Sequence, residues 1–84
     1  MINVTLARSF GDSRENFTFR SNNDASVVMF HDTVGEAENF PPTVRSSVTI
    51  DIDTATLLIA SLIENGYDAV PEPKINFKPS IRSL

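Results

Sequence analysis

The 84-residue sequence contains no cysteine and no tryptophan, and it has one histidine and one tyrosine. Without cysteine the chain has no disulfide framework, no thiolate metal site and no thiol nucleophile, so its fold depends on packing alone. His31 is the single histidine, and no recognised metal-ligand spacing surrounds it. We therefore expect neither a bound metal nor another cofactor.

Long apolar runs are also missing. The longest run, 57–60, is far shorter than the roughly 18 to 20 residues that span a bilayer. The N-terminus shows no basic and then apolar leader ahead of a cleavage site. These features predict a cytoplasmic protein without a membrane partner.

Glycine is scarce, which bears on enzymatic function. The three glycines, at positions 11, 35 and 66, are too far apart to form a Gly-rich phosphate cradle. The sequence contains no G-x-S-x-G nucleophile elbow, and a domain this small rarely encloses a substrate pocket. We expect a protein that is not an enzyme.

Positive charge is scarce in most of the chain. The formal net charge is -4, and residues 1–70 carry ten acidic residues against four arginines. Residues 71–84 differ, with three basic residues and one glutamate. An acidic surface of this kind repels phosphate backbones, so we expect no nucleic-acid partner.

Apolar residues are numerous enough for folding and follow strand periodicity. Leu, Ile, Val and Phe make up about 30% of the chain, above the roughly 20% below which sequences stay disordered. Alternating apolar and polar residues predict three strands, at about 2–7, 16–20 and 47–52. At 25–31 apolar residues occupy both faces, which predicts a fourth strand in the centre of the sheet. Polar turn residues between the first three strands favour a meander, whereas 32–46 lacks periodicity and is predicted as a long loop.

One helix is predicted, over about 54–65. Asp53 is assigned as its N-cap, and Asn65-Gly66 supplies a typical helix stop. Helical spacing places five apolar residues on the face toward the sheet: Ala55, Leu58, Ile59, Leu62 and Ile63. Leu57 projects from the opposite side.

The predicted fold class is α+β, with a mainly antiparallel four-stranded sheet and the helix on one of its faces. Residues 1–70 form a single domain in this interpretation. Residues 71–84 contain Pro71, Pro73 and Pro79 and are predicted as a basic C-terminal extended arm or a fifth strand at the sheet edge.

The preferred functional hypothesis is a small acidic protein–protein interaction module that acts on a larger protein as an inhibitor or adaptor. This type of chain is typical of proteins that viruses or mobile elements encode, for example against host defence. The candidate partner contacts are acidic and apolar residues in the predicted loop, on the helix and in the arm: Asp32, Glu36, Glu38, Phe40, Leu57, Ile75 and Phe77.

Two alternatives remain open at this level. The first is a homo-oligomer, joined through the C-terminal arm, that binds a small anionic ligand between subunits. Its candidate contacts are the four arginines of the body, since guanidinium groups bind carboxylate and phosphate in bidentate fashion: Arg8, Arg14, Arg20 and Arg45. The second is a structural component of a larger assembly.

Overall fold

The computed structural model describes residues 1–35 and 44–72. It contains one helix and five strands, in the order β1 (Asn3–Phe10), β2 (Ser13–Ser21), β3 (Ser26–Gly35), β4 (Val44–Asp51), α1 (Ile52–Glu64) and β5 (Asp68–Val70). The sheet has the order β4-β3-β2-β1-β5, and every neighbouring pair is antiparallel. The predicted α+β class and the meander of the first four strands are confirmed.

Two tight turns produce the meander. Gly11, with φ of 56°, occupies the left-handed region in the β1–β2 turn. In the β2–β3 turn, the N–H of Asn22 donates to the carbonyl of Ser26 at 2.8 Å. The Asp24 carboxylate accepts from both the N–H and the hydroxyl of Ser26, which closes the turn through a local side-chain bond.

The helix begins two residues earlier than the sequence pattern predicts. Asp51 is the N-cap, and its carboxylate accepts from the N–H of Thr54 at 3.3 Å. The assignment of Asp53 as the cap is therefore wrong, because β4 passes directly into α1 and Ile52 is already helical. The predicted stop is confirmed: Gly66 has φ of 89°, and the N–H of Tyr67 returns to the carbonyl of Leu62.

The core lies between α1 and one face of the sheet. Its buried members come from β1, β2, β3, α1 and the segment before β5: Leu6, Phe19, Val27, Ala55 and Tyr67. Ile59 and Leu62 pack half-buried against this cluster. Leu58 and Ile63, which the helical pattern places toward the sheet, are instead exposed, because a narrower stripe centred on the small Ala55 makes the contact.

The predicted loop over 32–46 is wrong at both ends. β3 continues to Gly35 and β4 begins at Val44, so the connection between them is 36–43, outside the described residues. β3 extends this far because the long strand β2 pairs with it from Ser13 to Ser21. The fifth strand is confirmed at the sheet edge beside β1, but it occupies Asp68–Val70, ahead of the predicted arm.

The second face of the sheet, opposite α1, also contains buried residues. These are mostly polar: Thr5, Ala7, Asn16, Thr18 and Asp32. The hydroxyls of Thr5 and Thr18 lie 2.9 Å apart. Beyond β5, the Glu72 carboxylate reaches across this face to Arg20 on β2 and Arg45 on β4. A search of the described residues finds no helix with the length and hydrophobicity of a membrane span.

Candidate functional site

Asp32 is not available to a partner protein. Its side chain is fully buried on the second face of the sheet and accepts from Nε of Arg45 at 2.7 Å. The sequence-based expectation that it forms part of an exposed acidic loop is therefore wrong, since Asp32 lies within β3 and pairs with a residue of β4.

Leu57 is the proposed partner contact that the structure leaves accessible. It is 72% exposed and lies on the side of α1 away from the buried Ala55, as the helical pattern predicts. The remaining proposed contacts, Glu36, Glu38, Phe40, Ile75 and Phe77, lie outside the described residues.

The four arginines do not converge on one site. Arg20 and Arg45 both contact the Glu72 carboxylate, and Arg45 also pairs with Asp32. Their guanidinium carbons lie 5.9 and 4.5 Å from the ring centroid of Phe30, so both are held on the second face. These two arginines are engaged within the protein and are poor candidates for binding a free anion.

Arg8 and Arg14 line one open cavity of about 320 Å³ at the β1–β5 edge. The other lining residues come from β1, the helix stop and β5: Ala7, Ser9, Gly66, Asp68 and Val70. Of the four arginines predicted as anion contacts, two therefore form ion pairs with carboxylates and the other two line one cavity.

Among the described strands, β4 forms one outer edge of the sheet, and most of its side chains are exposed. Val44 is 66% exposed and Val48 48%, and both side chains lie on the same side of the sheet as α1. The exposed Ile52 follows at the start of the helix. The strand contains no proline and no lysine, the residues that commonly protect a sheet edge from pairing.

The ladder pattern identifies the main-chain groups that point outward from β4. In antiparallel sheets, residue pairs that exchange main-chain hydrogen bonds alternate with pairs that do not. Because Asn22 bonds to Ser26, the main-chain N–H and C=O groups of the even-numbered residues of β3 point toward β2. The odd-numbered residues of β3 then bond to even-numbered residues of β4, among them Val48. The N–H and C=O groups of Arg45, Ser47 and Thr49 therefore point to the outer edge.

A polar cluster that the sequence analysis missed lies on the α1 side of the sheet. The Glu15 carboxylate accepts from the hydroxyl of Tyr67 at 3.1 Å and lies 3.3 Å from Nε2 of His31. Phe17 stacks on the His31 ring, with centroids 4.5 Å apart, and meets Tyr67 edge-on. Burial, together with the bond to Glu15, raises the pKa of Tyr67.

The separation of these residues explains why the sequence did not reveal the cluster. Glu15 and Tyr67 are 52 positions apart, and they meet because α1 returns the chain to the sheet beside β1. The one available signal was the alternation that places Glu15 on the same side of β2 as Phe17. Ser46 lies opposite His31 on β4, but no hydrogen bond joins these two described side chains.

The described part of the chain contains no group of three or more His, Cys, Asp or Glu side chains that could hold a metal ion. Comparisons with protein-family models, curated proteins and solved structures gave no match.

Proposed function

We propose that this protein is a small interaction module that binds a larger protein at the outer edge of β4, as an inhibitor or adaptor. The observation that carries the proposal is the eight-residue edge strand with outward main-chain groups at Arg45, Ser47 and Thr49. An extended segment of a partner can add to such an edge through main-chain hydrogen bonds. Exposed Val44 and Val48 supply apolar contact on the α1 side.

Charge favours a basic partner segment. The described residues contain nine carboxylates and four arginines and no lysine. Asp51 and Asp53 are exposed where β4 passes into α1, so lysine or arginine side chains at that end of an added strand would meet opposite charge. This role requires no catalysis, and we also propose a cytoplasmic location, because the chain has no cysteine to oxidise.

A second copy of the chain fits this edge less well. Antiparallel pairing of two β4 strands about Val48 would place Arg45 opposite Asp51 of the other copy. Both groups are already engaged, Arg45 by Asp32 and Asp51 by the first turn of α1. Two copies of net charge -4 would also repel each other.

The test uses Ser47→Pro, which removes one outward N–H, and Ser47→Ala, which keeps it as the matched control. The wild-type protein is used to capture partners from a lysate of its own host, and a stoichiometric larger protein is identified by mass spectrometry. We expect Ser47→Ala to retain this protein and Ser47→Pro to lose it, with both variants folded by circular dichroism.

Amide hydrogen exchange then locates the interface. Addition of the purified partner should protect the amides of Arg45, Ser47 and Thr49, which have no partner strand among the described residues. Protection confined to the Leu57 side of α1, or equal binding by both Ser47 variants, would contradict the edge site. If the protein forms a discrete homodimer and captures no larger protein, the partner at the β4 edge is a second copy of the chain and the proposal is contradicted.

A further inference from the structure

The open cavity beside β1 lies where the β1–β5 ladder stops. The last pair of that ladder is Ala7 with Asp68. The N–H of Ser21 donates to the carbonyl of Ile2, so the main-chain groups of the even-numbered residues of β1 point toward β2. Those of the odd-numbered residues, including Ser9, therefore point toward β5. Beyond Asp68 no described strand pairs with them. Ser9 therefore offers a main-chain N–H and a hydroxyl to the cavity that it lines.

Two arginines add positive charge to this cavity. Arg8 and Arg14 are the described arginines that form no ion pair with a described carboxylate. Arg8 is fixed in place, because it donates to the carbonyl of Asn65 at 2.6 Å and lies 4.7 Å from the ring centroid of Phe10. With Asp68 as the acidic lining residue, the described lining has a formal charge of +1 in an otherwise acidic protein.

Asn16 supplies a second observation next to the cavity. It is 1% exposed, and neither its amide nitrogen nor its amide oxygen has a hydrogen-bond partner in the described structure. It lies opposite Ala7, which lines the cavity, and two positions from Arg14 on the same face of β2. A buried amide without a partner costs free energy, so an unsatisfied polar group lies behind Ala7, although Asn16 itself is not a lining residue.

We infer that this cavity binds a small oxyanion, namely a carboxylate or phosphate group of a small molecule. Arg14 provides the bidentate guanidinium donor, Arg8 a fixed positive charge, and Ser9 two further donors. The inference is independent of the proposed binding site on β4, because β4 and β5 lie at opposite edges of the described sheet. Failure of one proposal therefore leaves the other in place.

The test is an amide NMR titration of the full chain with inorganic phosphate and, separately, with succinate, at constant ionic strength maintained with chloride. We expect saturable shifts at the amides of Ser9, Gly66 and Asp68. The more effective of the two anions identifies the preferred oxyanion. Arg14→Gln should weaken binding about tenfold or more, since it removes a charge-assisted hydrogen bond.

The matched control is Arg20→Gln, which removes an arginine on the same face of the same strand that is paired with Glu72. Arg20→Gln should change the anion affinity by less than about twofold, since Glu72 already offsets the charge of Arg20. Asp68→Asn should tighten binding, because the lining loses its negative charge. Should Arg14→Gln fail to fold, Arg14→Lys should still bind more weakly than the wild-type protein. Shifts that do not saturate with either anion, or equal losses in the Arg14 and Arg20 variants, would overturn the inference.

Discussion

Arg45 on β4 donates from Nε to the Asp32 carboxylate on β3 at 2.7 Å, and the two residues are direct cross-strand neighbours. The Asp32 side chain has no solvent exposure, whereas that of Arg45 is 21% exposed. β4 is joined to β3 by a main-chain ladder, and since most of its side chains are exposed, this pair is a buried side-chain contact that adds to the ladder. The proposed binding edge therefore depends on a charge pair on the opposite face from α1.

Arg45→Met is expected to destabilise the fold strongly. It leaves the Asp32 carboxylate buried without its cation, and such changes cost about 3 kcal/mol or more. Arg20→Met is the matched control, since its partner Glu72 is partly exposed and such pairs contribute about 1 kcal/mol or less. Urea unfolding of both variants gives the comparison, and equal losses would contradict the role assigned to the Asp32–Arg45 pair.

Tyr67 is expected to ionise at higher pH than a free tyrosine. Burial and the hydrogen bond to Glu15 raise its pKa, so the folded state favours the neutral phenol. The stabilisation is complete below the pKa of the unfolded tyrosine, about 10, and is lost as pH rises through the folded pKa. Since Tyr67 is the chain's single tyrosine, ultraviolet titration of tyrosinate reports it alone.

Tyr67→Phe gives the corresponding control for stability. The variant lacks the titrating phenol, so its free energy of unfolding should fall less steeply above pH about 10 than that of the wild-type protein. A Tyr67 pKa at or below the ordinary value would contradict the burial of Tyr67 and its hydrogen bond to Glu15.

Asp51, and not Asp53, is expected to control the start of α1. Asp51→Ala removes the acceptor of the Thr54 N–H and should lower the melting temperature by several degrees, whereas Asp53→Ala should change it little. Hydrogen bonding to Thr54 lowers the pKa of Asp51, so its stabilisation is present above the unfolded pKa and is lost as pH falls through the folded one. Thermal melts near neutral pH and in acid test both statements, and a larger effect of Asp53→Ala would contradict them.

Asn16→Leu is expected to stabilise the protein, because it removes a buried amide that has no partner in the described structure. Relief of such a group is worth about 1 to 3 kcal/mol. Asn16→Asp is the opposite control, since it places a second carboxylate beside buried Asp32 and should destabilise. Urea unfolding of Asn16→Leu that shows a clear loss of stability would contradict the unsatisfied state of the amide.

Local patterns carried much of the fold prediction. The alternation of apolar residues in β1 and β2, the continuous apolar run in the first half of β3, the polar turns between these strands and the Asn65-Gly66 stop are properties of neighbouring residues. The meander and the helix could therefore be predicted. The end of β3 beyond Asp32 and the start of α1 before Asp53 could not be predicted in this way. Asp32 is a charged residue inside a strand, and it becomes compatible with burial when Arg45 arrives from β4.

The candidate sites were less accessible to sequence reasoning. The exposed position of Leu57 followed from helical periodicity, and the value of arginines for anions followed from their chemistry. Which arginines remain available did not follow, because Glu72 engages Arg20 and Arg45 from a distant part of the chain. The Glu15–Tyr67 bond was hidden for the same reason.

Composition and local patterns were sufficient to predict the α+β class, the antiparallel order of the first four strands and an acidic chain without cysteine, since each depends on composition or on residues close together in the chain. Only the three-dimensional arrangement places β4 at an edge of the sheet with no described strand beyond it, sets β5 beside β1, and brings Arg8 and Arg14 to the same cavity as Ser9. These features depend on pairing between distant segments, because strand order and burial determine which polar groups are satisfied and which remain open to a partner.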